Sequence, residues 1–197
     1  MQLDELRRRI AQEPERHVEY PAYRSCAALE VKRPGGVPVS ELPASGEPTG
    51  DTRTVTYRHI LGDPASAEVI RAWQEKWPSH PLPPDLRQLV EQANGIHLWA
   101  DVETGRAYAG LAPIDEWQPA RIVMYGRSSD PELLSERYLA LSYHADGAAL
   151  VVLDVDTGTY FLMDSCGADD TCPLGANVSE LLDWLWSERL PPEGGGA

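Results

Sequence analysis

Cys166, His144 and Asp146 are the residue types of a Cys/His/Asp triad, in which the imidazole activates a thiolate and the carboxylate orients the ring. Nothing in their spacing brings them together, and Cys166 lies in the run DSCGADDTC, where a loop cysteine is unremarkable. Asp156-Thr157-Gly158-Thr159 has the form of an aspartic-protease signature. That chemistry needs two facing aspartates that share one proton, and the chain has a single D-T-G. A Thr-Gly turn accounts for this run and for Glu103-Thr104-Gly105 alike. Asp154-x-Asp156-x-Gly158 could open a calcium loop, but Thr159 and Ser165 stand where such a loop needs Gly and Glu. Asp164, Asp169 and Asp170 cluster in one stretch without a nearby His. They suit a hard cation, a basic partner or plain solvent. Phosphate-binding glycine loops and the H-E-x-x-H metal motif are absent from the sequence. The expectation is a non-catalytic chain with no catalytic residue, no cofactor and no metal.

Binding is the alternative to catalysis, and charge says what could be bound. The 197 residues carry 31 acids and 17 bases, a net charge of −14. That balance disfavours nucleic acid, whose binding rests on Lys and Arg neutralising phosphates, and it disfavours anionic membranes. The charge is uneven: residues 99–197 hold 17 acids against 5 bases, while residues 1–98 are near balance. One half therefore offers an acidic face to a cationic partner, for which solubility alone is the plainer explanation. Trp99 and Trp117 lie beside Asp101, Glu103, Asp115 and Glu116. An exposed indole ringed by carboxylates is a good contact for a basic protein, with ordinary core or edge packing as the alternative for each. The expected partner-binding set is Trp99, Asp101, Glu103, Asp115, Glu116, Trp117, Asp164, Asp169 and Asp170. Trp73, Trp77 and Trp184 recur at helical spacing and are expected in the core.

These residues must be carried by a framework. Leu3, Leu6 and Ile10 predict a helix over 2–12, ended by Pro14. Residues 34–51 hold four prolines and four glycines and predict a loop. The β-branched run 53–61 predicts a strand. Asp63-Pro64 or Ser66 would cap a helix carrying Val69, Ile70, Trp73 and Trp77, and Pro78 would stop it. A second helix within 82–96 has Pro83 and Pro84 at its start and Asn94-Gly95 at its end. Strands follow over 96–101, 106–110, 138–144 and 148–155, the last apolar enough for a central strand. Asp156-Thr157-Gly158 then turns the chain into 159–163 as an antiparallel hairpin. Residues 113–120 predict an irregular segment with one helical turn, and 178–190 an amphipathic helix capped by Asn177 or Ser179. Helices, then an antiparallel meander, then a closing helix make an α+β fold. Residues 1–60 are expected as an N-terminal extension, 61–190 as the α+β domain and 191–197 as a disordered tail. Cys26, Cys166 and Cys172 form no disulfide framework, and MQLDELRRRIAQEPER has no apolar signal region. A reduced, cytoplasmic setting is expected.

The order of features over 82–190 resembles the SUKH superfamily, which includes the Smi/Knr-type cell-wall regulators. The residues that carry the resemblance are Leu82-Pro83-Pro84-Asp85-Leu86 with Asn94-Gly95, the segment Gly110-Leu111-Ala112-Pro113-Ile114-Asp115-Glu116, and Tyr138-Leu139-Ala140-Leu141 followed by Asp146-Gly147. Leu153-Asp154 with Thr157-Gly158 and Tyr160 continues the pattern, and Asn177-Val178-Ser179 leading into Leu181, Leu182 and Leu185 closes it.

The resemblance implies a bacterial protein that binds another protein. Most bacterial members are immunity proteins that neutralise polymorphic toxins, often nucleases, by direct contact. An acidic face covering a basic toxin site agrees with that expectation. A regulatory or scaffolding module that binds an endogenous protein is the second reading, and a hydrolase using His144 or Cys166 the third.

Overall fold

Alternation along β-strands decides which side chains are inside, and two antiparallel sheets use it differently. In this computed structural model the described residues are 1–23, 48–103, 107–124, 136–143, 149–164 and 171–187. Among them, β1 (Glu15–Tyr23), β2 (Pro48–Leu61), β3 (Ile96–Asp101) and β4 (Ala107–Leu111) pair in that order in one sheet. The second sheet runs β5 (Gln118–Pro119), β6 (Tyr138–Tyr143), β7 (Ala149–Asp154), β8 (Thr159–Asp164) and β9 (Thr171–Gly175). With the helices α1 (Leu3–Gln12), α2 (Ala67–Lys76), α3 (Pro84–Val90), α4 (Ala120–Met124) and α5 (Val178–Ser187), this is an α+β fold. No helix among the described residues is long and apolar enough to cross a membrane.

The first sheet has one wet face. Glu15 lies opposite Arg58 and His17 opposite Thr56, and these polar pairs touch through an ion pair and a hydrogen bond. Val18, Val55 and Tyr57 on the other face are buried with Leu3 and Leu6 of α1 and Leu181, Leu182 and Leu185 of α5. The segment expected as an N-terminal extension thus supplies a helix and two strands to the same sheet and the same core as residues 61–187. Residues 48–51, expected within a loop, open β2; residues 34–47 and the tail 191–197 lie outside the described residues.

The second sheet is buried on both faces at its centre, as the apolar run predicts. Val151 and Leu153 of β7 face the main core, whereas Leu150 and Val152 pack with Ala120, Ala140 and Met163 in a smaller cluster against α4. The β7–β8 hairpin turns at Gly158, whose φ of 72° favours glycine. The sheets are stitched where β4 ends: the Ala112 amide donates to the Leu141 carbonyl at 2.9 Å.

Helix boundaries follow local chemistry. Ser66 caps α2 by accepting the Val69 amide at 3.3 Å, in preference to the Asp63-Pro64 alternative. The α3 helix stops at Val90, earlier than the expected span, and Gly95 then takes a φ of 103° against the ring of Pro113. Gly110 is required for a different reason. A Cβ there would stand 1.9 Å from the carbonyl oxygen of Ile96, its neighbour across the β3–β4 ladder. Gly110→Ala is therefore expected to cost about 3 kcal/mol, the upper end for overpacking. Gly158→Ala meets open space and should cost about 1 kcal/mol through its φ alone. Urea unfolding midpoints of the two variants check the contrast.

Candidate functional site

The turn Ile114–Glu116 follows β4 as a single 3-10 turn, the helical turn expected within 113–120. It is fixed from several sides. The Asn94 side chain accepts the Ile114 amide at 2.8 Å, and the Trp117 indole donates to the Ala112 carbonyl at 2.7 Å. From α2, the Trp73 indole donates to the Trp117 carbonyl at 2.9 Å and meets the Trp117 ring edge-on. On this platform Ile114 is fully buried while Asp115 and Glu116 stand exposed. Partial burial pushes the Glu116 carboxyl above its ordinary range, and the adjacent Asp115 charge pushes it further. The site is a rigid spur carrying two like charges.

The two tryptophans expected at the binding face are not there. Trp117 is 1% exposed and Trp99 is 5% exposed, so both belong to the core. For Trp117 the reason is the pair of hydrogen bonds just described. For Trp99 it is backbone geometry: the residue has a φ of 53°, the one positive φ of a non-glycine residue among those described. The β2–β3 register slips between Arg58 and Ile60, and Trp99 drops out of the pairing on both sides. Its ring turns inward, 4.1 Å from the His59 ring and 6.5 Å from that of Trp186 on α5. Trp73 is buried as expected, and Trp77 and Trp184 pack against the core in part.

The acids are also dispersed. Asp101 ends β3 and accepts the Glu103 amide at 2.8 Å, so this pair sits at the hairpin tip. Asp115 and Glu116 follow Leu111, which pairs with Ile96 at the other end of β3. Five strand steps separate the two ends, about 17 Å. Asp164 ends β8 opposite Ala149. Asp169, Asp170, Cys166, His144, Asp146 and Cys26 lie outside the described residues. The expected single acidic face therefore resolves into at least two separate places, of which the 115–116 spur is the more firmly built.

No protein-family model matches the chain, and no curated protein matches it either. The SUKH-like residues can still be judged by what they touch. Asp85 accepts the Val178 amide at 2.9 Å and so tethers α3 to the start of α5. Asn177 accepts the Glu180 amide while Glu180 accepts the Ala176 amide, a reciprocal cap of the same helix. Asp154, 2% exposed, accepts the Asp156 amide in the hairpin turn and faces Arg137 at 3.5 Å. Tyr160 is fully buried, and burial with the nearby Asp85 charge pushes its phenol well above the ordinary range. These residues do structural work, whereas Asp115 and Glu116 are acids of the pattern that face solvent.

His59 and the tether residues Asp85 and Asn94 were missed as structural keys. Their partners come from distant segments, and no spacing in the sequence announces them. Among the described residues no group of three His, Cys, Asp or Glu is placed to hold a metal ion.

The spur's charge repulsion has a sign that can be measured. An acid whose folded value is raised binds its proton more tightly in the folded chain, so stability falls as pH rises through that value. Glu116→Gln should therefore stabilise the protein at neutral pH, and the gain should vanish below the ordinary glutamate value of 4.5. Thermal unfolding of the variant and the parent between pH 4 and pH 8 checks the convergence.

Proposed function

We propose that this protein is a non-catalytic, cytoplasmic binding module of the immunity type, which neutralises a basic toxin domain by occluding its active site. The single observation that carries the reading is the Asp115–Glu116 spur. Two carboxylates are held side by side on a rigid turn although their repulsion and partial desolvation oppose it. A charge arrangement that works against stability is understandable where a partner supplies the missing cations. An incoming Lys or Arg would relieve the repulsion, and a fixed turn spares the partner the entropy of ordering it. The excess of acids beyond residue 98 supports the same choice of partner, since a negative field steers a basic domain toward contact. The resemblance of residues 82–190 to the SUKH superfamily supports the class of function.

A scaffolding role, with residues 1–60 as the specific part, fits less well because Leu3, Leu6, Val18 and Val55 of that segment belong to the main core. Nothing about the spur favours a hydrolase.

Co-expression with the candidate toxin domain encoded beside its gene provides the test. The parent protein should protect the host cell. Asp115→Asn with Glu116→Gln should lower the association rate about tenfold at low salt, as expected for a charge pair that steers encounter. Binding of the parent should weaken as salt rises, and the variant's should depend less on salt. A toxin bound and neutralised equally by both proteins would overturn the role of the spur. No binding at all by the parent would overturn the immunity reading.

A further inference from the structure

On the inner face of the first sheet, His59 of β2 lies between two indoles. The Trp99 ring is 4.1 Å away, and the Trp186 ring stacks at 5.4 Å and 29°. The Trp99 amide, at the strained bulge, donates to His59 Nδ1 at 3.4 Å. That bond requires an unprotonated Nδ1 and so assigns the ring proton to Nε2, which is buried.

The indoles are capped by cations from the N-terminal elements. Arg16 of β1 lies 4.9 Å over Trp99, and Arg9 of α1 lies 5.9 Å over Trp186. Glu13, at the end of α1, pairs with Arg16, and Glu5 holds Arg9 at 2.9 Å. Among the described residues, Glu13 just after α1 and Arg16 of β1 act on the ring by charge, Arg9 of α1 stands beyond it over Trp186, and β3 and α5 present indoles.

We propose that His59 is a proton-operated latch that holds α1 and β1 against β3 and α5, and that protonation of Nδ1 opens it. A proton on Nδ1 would set two donors against each other at the Trp99 amide. It would also add a cation to indole faces already shared with two guanidinium groups. Burial is the main influence on the ring and holds its affinity for protons below that of an ordinary histidine; Glu13 acts in the opposite direction, and Arg16 adds to the effect of burial. The sign follows. The neutral ring fits the closed latch, so closure is complete above the ordinary histidine value of 6.5 and weakens as pH falls below it.

Hydrogen exchange resolved by segment tests the latch, with rates normalised to the intrinsic exchange at each pH. An open state that titrates at 6.5 gives an opening constant that rises from neutral pH to pH 5.5, by at most about tenfold. That rise should appear in the amides of Leu6–Gln12 and Arg16–Val18 and be absent from Leu150–Leu153. His59→Gln should abolish the pH dependence. His97→Gln should keep it, although burial also lowers the proton affinity of His97 on β3. In the parent protein, the NMR titration of the His59 ring should have its midpoint below 6.5, and the opening should level off once that titration is complete. A flat profile in the parent, an equal rise in His59→Gln, or a rise shared by Leu150–Leu153 would each overturn the proposal. So would a His59 ring midpoint at or above 6.5, which remains decisive even if His59→Gln fails to fold.

Discussion

The hydrogen-bonded ladder between β2 and β3 is the joint on which the molecule depends. Tyr57 lies opposite Asp101 and Leu61 opposite Ile96, with one slip between them. On one side of this ladder stand α1, β1 and β2; on the other stand β4, the acidic turn and the whole second sheet. The slip is what lets the inner face close. It turns Trp99 inward, where the indole fills space between His59, Trp186 and Arg16. A non-glycine residue with positive φ is costly, on the order of 1–3 kcal/mol, and persists only where surrounding contacts over-determine it. Here the rings of His59 and Trp186 and the Arg16 guanidinium do so.

The same joint explains why fold and site were unequally legible in the sequence. Elements with a strong internal period could be read directly. Leu3, Leu6 and Ile10 mark α1, and the apolar run of β7 marks a strand buried on both faces. β1 was not recognisable, because in ERHVEYPAY Val18 is the one residue described as buried, and Pro21 breaks the pattern. β9 was missed because Thr171–Gly175 contains a proline and a terminal glycine, and Leu174 is the one residue in it described as buried.

The site was legible as a set of charges and illegible as a surface. Asp115 and Glu116 could be named as candidates, since acids on a short turn stay wet. The contacts that bury Trp99 and Trp117 could not be read from the sequence. One depends on a bulge created by another strand, the other on acceptors and a ring contact supplied by Ala112 and Trp73. Aromatic residues beside acids in sequence need not be beside them in space. The roles of Asp85 and Asn94 were hidden for the same reason: each satisfies a backbone amide at least 20 residues away.

The two sheets also differ in how far along the chain their partners lie. From β6 to β9 each strand pairs with its successor, so every loop to be closed is short. β2 and β3 are consecutive strands too, yet Leu61 and Ile96 have two helices between them. Closing the longer loop costs more chain entropy before any contact is gained, and non-local pairing slows folding. The meander is thus the half suited to form early, with the first sheet assembling against it. On that order, the bulge at Trp99 is among the last features to take shape, and nascent chains whose β2–β3 ladder is incomplete would expose indoles that the finished protein hides.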